Sequence, residues 1–369
     1  MADHHSLMEY AGRQKRLVAG LRPDGVDALL ITHLPNVRYL CGFSGTAGVL
    51  LVPASGRPAK PIFYTDGRYA QQAANEVHGA KVVITKKAPL NETCEAITRA
   101  KIKVLGFETE HLSYSAYRLL SQTLRGKVRL KPMAGSVELL RVNKDQGEIE
   151  QIRASVLVAA SLFQTALTAI RPGVTESLVA GEMELQARRA GAEKMSFDTI
   201  VAAGARSALP HGRASLQPIP GNGFIILDWG VILAGYCSDM TRTVHVGAAS
   251  ATHLRMYQAV REAQWASVEA VRPGATTGEV DRAAREMLKK SGFGTYFTHS
   301  TGHGVGLEVH EAPRLAKDQT QRLTPGMVVT IEPGVYIPDE GGVRIEDMVL
   351  VTESGREVLT PTTKDLITL

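Results

Sequence analysis

Two carboxylates first draw attention to the C-terminal half of the chain. Phe224-Ile-Ile-Leu-Asp-Trp-Gly230 reads as a buried strand ending in Asp228, and Tyr236 to Val246 reads as a second strand carrying Asp239, Thr241 and Thr243 on one face. A hairpin turning at Leu233-Ala234 is expected to set Asp228 opposite Asp239, with Cβ atoms about 4.5–5.5 Å apart. Bare carboxylates that close, among apolar residues, repel one another, so either a pKa rises or a cation sits between them. Val328-Val-Thr-Ile-Glu332 supplies a third acid at a strand end, and Val343 to Val351 supplies Glu346 or Asp347. Alternation sends those two to opposite faces, and position alone leaves the choice between them open. His299, His303 and His310 fall within twelve residues among small neighbours, and His211 lies in a Pro- and Gly-rich loop. Four acids with an imidazole make a hard, oxygen-rich donor set, suited to two divalent ions about 3.5–4 Å apart and to metal-assisted hydrolysis.

The elements that must position these residues are repeated. Ala169-Ile-Arg-Pro-Gly-Val-Thr175 recurs as Ala270-Val-Arg-Pro-Gly-Ala-Thr276, each copy joining two helices, with Thr175 and Thr276 placed as N-caps. The second helices end near Gly191 and Gly292. Asp228 and Glu332, like Asp239 and Glu346, are separated by nearly the same offset as the two copies. Two related α/β halves are therefore expected to bring four acids together across an internal symmetry. Residues 1 to about 140 alternate strand and helix signals, as an α/β layer domain does. Their Gly42–Gly48 segment lacks the Lys-Ser/Thr ending of a phosphate loop and the spacing of a dinucleotide fingerprint, and reads as a turn entering a strand.

Composition narrows the setting. At 369 residues, 44% apolar and 21% charged, the chain suits two globular domains and excludes general disorder. Three scattered cysteines argue against a disulfide framework and fit a reducing compartment. No secretory signal and no membrane span is expected. The net charge of +5 is spread thinly among few aromatics, which speaks against nucleic-acid binding.

Asp228-Trp-Gly230, Tyr236 to Thr243, His299 to Glu311, Ile331-Glu-Pro-Gly334 and Arg344-Ile-Glu-Asp347 together resemble, in order, the M24 metallopeptidases, the Xaa-Pro aminopeptidases and prolidases. The resemblance implies a creatinase-like N-terminal α/β domain over residues 1–140 and a pita-bread catalytic domain over 141–369. It implies Asp228, Asp239, His303, Glu332 and Glu346 as metal ligands, and so selects Glu346 over Asp347. Roles in substrate binding and transition-state stabilisation fall to His211, His299 and His310, with Glu332 carrying a proton and Arg344 beside the acids. Two divalent ions are implied, Mn2+ first, with Co2+ or Zn2+ as alternatives. Asn36 to Gly48 and Thr65-Asp-Gly-Arg-Tyr69 look closer to aminopeptidase P than to the prolidases. The expected activity is thus removal of an N-terminal residue preceding proline from peptides, the alternative being an Xaa-Pro dipeptidase restricted to dipeptides. A cytoplasmic homodimer is the expected setting.

Overall fold

The computed structural model describes residues 8–54 and 60–369, which divide into two compact units, one ending at Arg141 and the other beginning at Val142. In the first unit the order is α1 (Tyr10–Leu21), β1 (Ala28–Ile31), α2 (Leu34–Cys41), β2 (Val49–Pro53), β3 (Ile62–Asp66) and α3 (Ala70–Glu76). There follow β4 (Lys81–Thr85), α4 (Pro89–Arg99), β5 (Val104–Glu108), α5 (Tyr114–Thr123), β6 (Arg129–Met133) and α6 (Glu138–Arg141). The strands make one mixed sheet in the order β4-β3-β2-β1-β5-β6. Its central strands β1 and β2 are buried throughout, as unbroken apolar runs must be when both faces are covered. Leu30, Leu51, Leu105, Ile97 and Leu120 pack one face of this sheet against α4 and α5. Helix α2, capped by Gly42, and strand β6 carry no clear signal in the sequence.

The second unit opens with α7 (Gln146–Ala169) and α8 (Glu176–Arg189), followed by β7 (Lys194–Met195), β8 (Ile200–Ala203), β9 (Gly223–Trp229), β10 (Val231–Leu233), β11 (Tyr236–Cys237) and β12 (Met240–Val246). Then come α9 (Ala251–Ala270), α10 (Thr277–Lys290), β13 (Gly302–Gly304), β14 (Glu311–Leu315), β15 (Val328–Ile331), β16 (Gly334–Ile337), β17 (Gly341–Arg344), β18 (Asp347–Val351) and β19 (Arg356–Val358). The repeat is real in three dimensions. Thr175 and Thr276 accept the expected cap hydrogen bonds from Leu178 and Glu279. The loop glycine of each copy donates to an equivalent carbonyl, Gly173 to Ile219 at 2.9 Å and Gly274 to Leu323 at 2.8 Å. Sheet β12-β9-β8 in the first half matches strands β18-β15-β13 in the second.

Helix α7 begins at a capping box formed by Asp145 and Glu148. It is the one helix among the described residues long and apolar enough to span a bilayer, where the sequence reading expected none. Its apolar side is spent inside the unit: Trp229 donates to the Ala159 carbonyl at 2.8 Å and stacks on Phe163.

Candidate metal centre

The site forms where the two matching sheets place their strand ends. Asp228 sits near the end of β9, Asp239 just before β12, Glu332 just after β15 and Glu346 in the break between β17 and β18. The hairpin between β9 and β12 differs in register from the sequence expectation. Leu233 pairs with Tyr236, so the chain turns at Ala234-Gly235, where φ is +48° and +84°, the paired positive angles of a type I′ turn. Asp228 consequently faces Thr241, and Asp239 lies two residues further along, past the Met240–Trp229 pair. The strand expected over 343–351 is interrupted at Ile345-Glu346. Asp347 turns away, buried in an ion pair with Arg242 (2.8 Å) and a hydrogen bond from Gln264 (2.8 Å), which leaves Glu346 to face the acids.

His303 arrives from β13, whose register shifts between His303 and Gly304, a bulge that aims the ring. The strand is wedged between β14 and β15 so closely that a Cβ on Gly304 would overlap the Ala312 carbonyl. The His303 Nδ1–H donates to the Gly304 carbonyl at 3.0 Å, since a carbonyl can only accept. The Nε2 lone pair is thereby directed at the acids, 3.6 Å from Asp239 and 3.5 Å from Glu332. Donor atoms of Asp239, His303 and Glu346 all lie within 4.8 Å of one another.

Arg344, on β17, holds this group in place. It donates to Asp228 at 2.6 Å, to Thr241 at 3.1 Å, to the Pro210 carbonyl at 3.0 Å and to Tyr336 at 2.8 Å. The Thr241 hydroxyl in turn donates to Glu346 at 2.7 Å, so one side chain ties the guanidinium to an acid. Tyr336, Thr241 and Thr330, which donates to Glu332, are the partners sequence reasoning missed. The only signal for Thr241 was its place on the face shared by the two aspartates.

The histidines separate into different environments. His299 donates through Nδ1 to the Ser300 carbonyl and accepts the Tyr336 hydroxyl at Nε2, 2.9 Å away. Burial, with Arg344 nearby, pushes it down to about 4, so it is neutral. His310 is exposed and packs edge-to-face on His303, ring centres 4.4 Å apart, with partial burial and His303 lowering its pKa. His211 is exposed in its loop, near enough for its charge to act on His299, His310 and Glu332.

The electrostatics ask for cations. Burial, then Glu346, Asp228 and Glu332, raise the Asp239 carboxyl well above its ordinary value. Burial, Glu332 and Asp228 do the same to Glu346. Burial pushes Glu332 up to about 7, against the pull of Arg344. Four carboxylates share one guanidinium, and the buried Asp228 Oδ1 makes no hydrogen bond at all. An orphaned buried oxygen among mutually raised acids is the pattern of a donor set fitted to positive ions. A second group whose donors lie that close, Glu110, His111 and Glu138, belongs to the N-terminal unit. There Asn36 also donates to Glu138, at 2.5 Å, and His111 stacks on His33.

Residues 150–353 match the model of metallopeptidase family M24, more than half of the chain. The chain belongs to family M24. Residues 13–143 match the creatinase/prolidase N-terminal domain, which completes the expected two-domain architecture of an M24 member with a pita-bread peptidase domain. The Xaa-Pro dipeptidase of Pyrococcus horikoshii is 37% identical over 96% of this chain and 98% of its own length. An uncharacterised peptidase of Bacillus subtilis is 43% identical over 94% and 96%. Among solved structures, an Xaa-Pro dipeptidase from Bacillus anthracis superimposes with a TM-score of 0.94 at 41% identity, covering 98% of this chain and all of that one. An X-Pro aminopeptidase from Thermotoga maritima gives 0.88 at 34% identity, over 95% and 100%. This M24 protein is therefore a metallopeptidase similar to enzymes of both kinds.

Proposed function

We propose that this protein is an Xaa-Pro dipeptidase in which Asp228, Asp239, His303, Glu332 and Glu346 hold two divalent ions, Mn2+ first among them. The observation that carries the metal assignment is the convergence of four acids with an imidazole lone pair aimed at them and a single guanidinium among them, with Asp228 Oδ1 unsatisfied. When bound, such ions supply Lewis acidity and a water of lowered pKa. The chain's own residues supply the rest. Glu332, whose carboxyl burial pushes up to about 7, accepts and returns the proton. His310 and His211, exposed beside the acids, donate hydrogen bonds to the substrate carbonyl as charge develops on it. His299, neutral and bound to Tyr336, acts on position: it fixes the hydroxyl on which Arg344 rests.

Two observations favour dipeptides over longer peptides, against the aminopeptidase expectation. Two proteins that match nearly the whole chain, at 37% and 41% identity, carry the name Xaa-Pro dipeptidase. Arg314 lies directly across the β13–β14 ladder from His303, exposed, and no carboxylate among the described residues pairs with it. A free guanidinium one residue pair from the proposed ligands suits the C-terminal carboxylate of a dipeptide, which in a longer peptide is an amide. The Xaa-Pro aminopeptidase reading keeps the support of the Thermotoga structure and of the Asn36–Gly48 motif. Hydrolysis of Xaa-Pro against Xaa-Pro-Yaa by the Mn2+-loaded protein, with metal content measured on the same sample, separates them. Preference for the tripeptide overturns the dipeptidase reading. A reducing, cytoplasmic compartment belongs to the same proposal, supported by three free, buried cysteines, and so does a homodimer, which light scattering on the purified protein checks.

A further inference from the structure

The charge of the chain is divided unevenly. Residues 1–141 hold 20 Lys and Arg against 11 Asp and Glu, a balance of +9, while residues 142–369 hold 22 against 26, a balance of −4. The peptidase unit is acidic, as its site requires, and the whole positive excess lies on the N-terminal unit, where the proposed reaction uses none of it.

That unit carries a groove of about 750 Å³ whose charged lining is Lys15, Arg22, Lys60 and Lys81, with no carboxylate among its residues. The four cations come from three separate places. Lys15 on α1 and Arg22 at its C-cap are seven residues apart and so share a face, Lys60 precedes β3, and Lys81 opens β4. All four are exposed, and none has a side-chain partner among the described residues. Elsewhere on the same unit, cations with acids to hand do pair, as Arg68 with Asp66 and Lys87 with Glu95, each at 2.9 Å. One helix face bearing lysines needs no explanation. Convergence from three elements on a concave surface is different, because like charges facing one another across a groove raise the potential inside it, and a multiply charged anion relieves that repulsion. Val18 and Pro53 add apolar surface between the cations.

We propose that this groove binds a small organic polyphosphate of nucleotide size. Its phosphates lie among Lys15, Arg22, Lys60 and Lys81, and its apolar part rests on Val18 and Pro53. Lysine and arginine are phosphate-binding groups, and the volume falls in the usual range for small-molecule sites, about 300–1,000 Å³. Isothermal titration of the metal-loaded, full-length protein tests this with ATP, inorganic tripolyphosphate and adenosine. ATP binds more tightly than tripolyphosphate, adenosine does not bind, and ATP affinity falls as salt is raised. K15E/K81E weakens ATP binding at least about tenfold, as does R22E/K60E, while peptidase activity stays at the parental level. K127E/R129E makes the same charge change on exposed residues outside the groove and alters binding less than about twofold. Absence of ATP binding overturns the proposal. So does binding that survives K15E/K81E, which would place the phosphates on the metals, and so does an equal loss in K127E/R129E, which would reduce the effect to net charge.

Discussion

Replacing an acid of the proposed metal centre should stabilise the protein once metal is removed, and only at high pH. Burial raises the Glu332 carboxyl from an ordinary 4.5 to about 7 in the folded chain. The metal-free fold therefore holds its proton more tightly than the unfolded chain does. The contribution is fully present below about pH 4.5 and is lost as pH rises through 7, because ionisation is easier in the unfolded state. A shift of about 2.5 units at 1.36 kcal/mol each amounts to roughly 3 kcal/mol. Asp239 and Glu346 are raised in the same direction, so they steepen the trend. His299, pushed down to about 4, opposes it between pH 4 and 6.5, which makes an unmodified pH profile ambiguous. Comparing E332Q with the parent removes that ambiguity, since both contain His299. Gln keeps an oxygen for Thr330 and cannot ionise. In urea unfolding after exhaustive chelation, the two proteins should be equally stable at pH 4, and E332Q the more stable by up to about 3 kcal/mol at pH 8. With Mn2+ restored the order should reverse. A metal-free E332Q that is less stable than the parent at pH 8, or a gap independent of pH, would refute the electrostatic account of this site.

Other perturbations reach different parts of the same structure. D239N should lose Xaa-Pro hydrolysis and bind less metal, read by elemental analysis; full occupancy with retained activity would remove Asp239 from the ligand set. T241V leaves a buried guanidinium N–H and a Glu346 oxygen without their shared partner, at a cost of about 1–3 kcal/mol by chemical denaturation and about 10–100-fold in metal affinity, with T241S restoring both. G304A should destabilise by more than the 1–3 kcal/mol typical of overpacking, since its methyl meets a backbone carbonyl that cannot rotate away; an unchanged melting temperature would contradict the close packing of β13.

The five proposed donors stand out in the sequence because each sits at a strand end or beside glycines, and the duplicated helix pair indicates which strands correspond. What the chain did not disclose is contact. Alternation placed Asp228, Asp239 and Thr241 on one face, but pairing depends on where the hairpin turns, and the two-residue turn at Ala234-Gly235 gives Asp228 the partner Thr241, two residues beyond Asp239. Thr241 and Tyr336 matter through hydrogen bonds to Arg344, and such bonds link strands far apart in sequence, beyond the reach of any local pattern. The break at Ile345-Glu346 was hidden because the segments on either side of it are both buried strands. Helix α2 is short and starts with Leu-Pro, so its few residues carry too little periodicity to announce it.

The doubled architecture has a consequence for how the protein is made. The first half of the repeat contributes Asp228 and Asp239, and the second contributes His303, Glu332 and Glu346. A growing chain that has completed only the first half owns two acids and nowhere to neutralise them. On the proposed ligand set, the site is complete only when Glu346, from the second half of the repeat, packs beside Thr241. On that ligand set, ion capture waits for the second half of the repeat to fold, and a chain holding only the first half lacks three of the five donors.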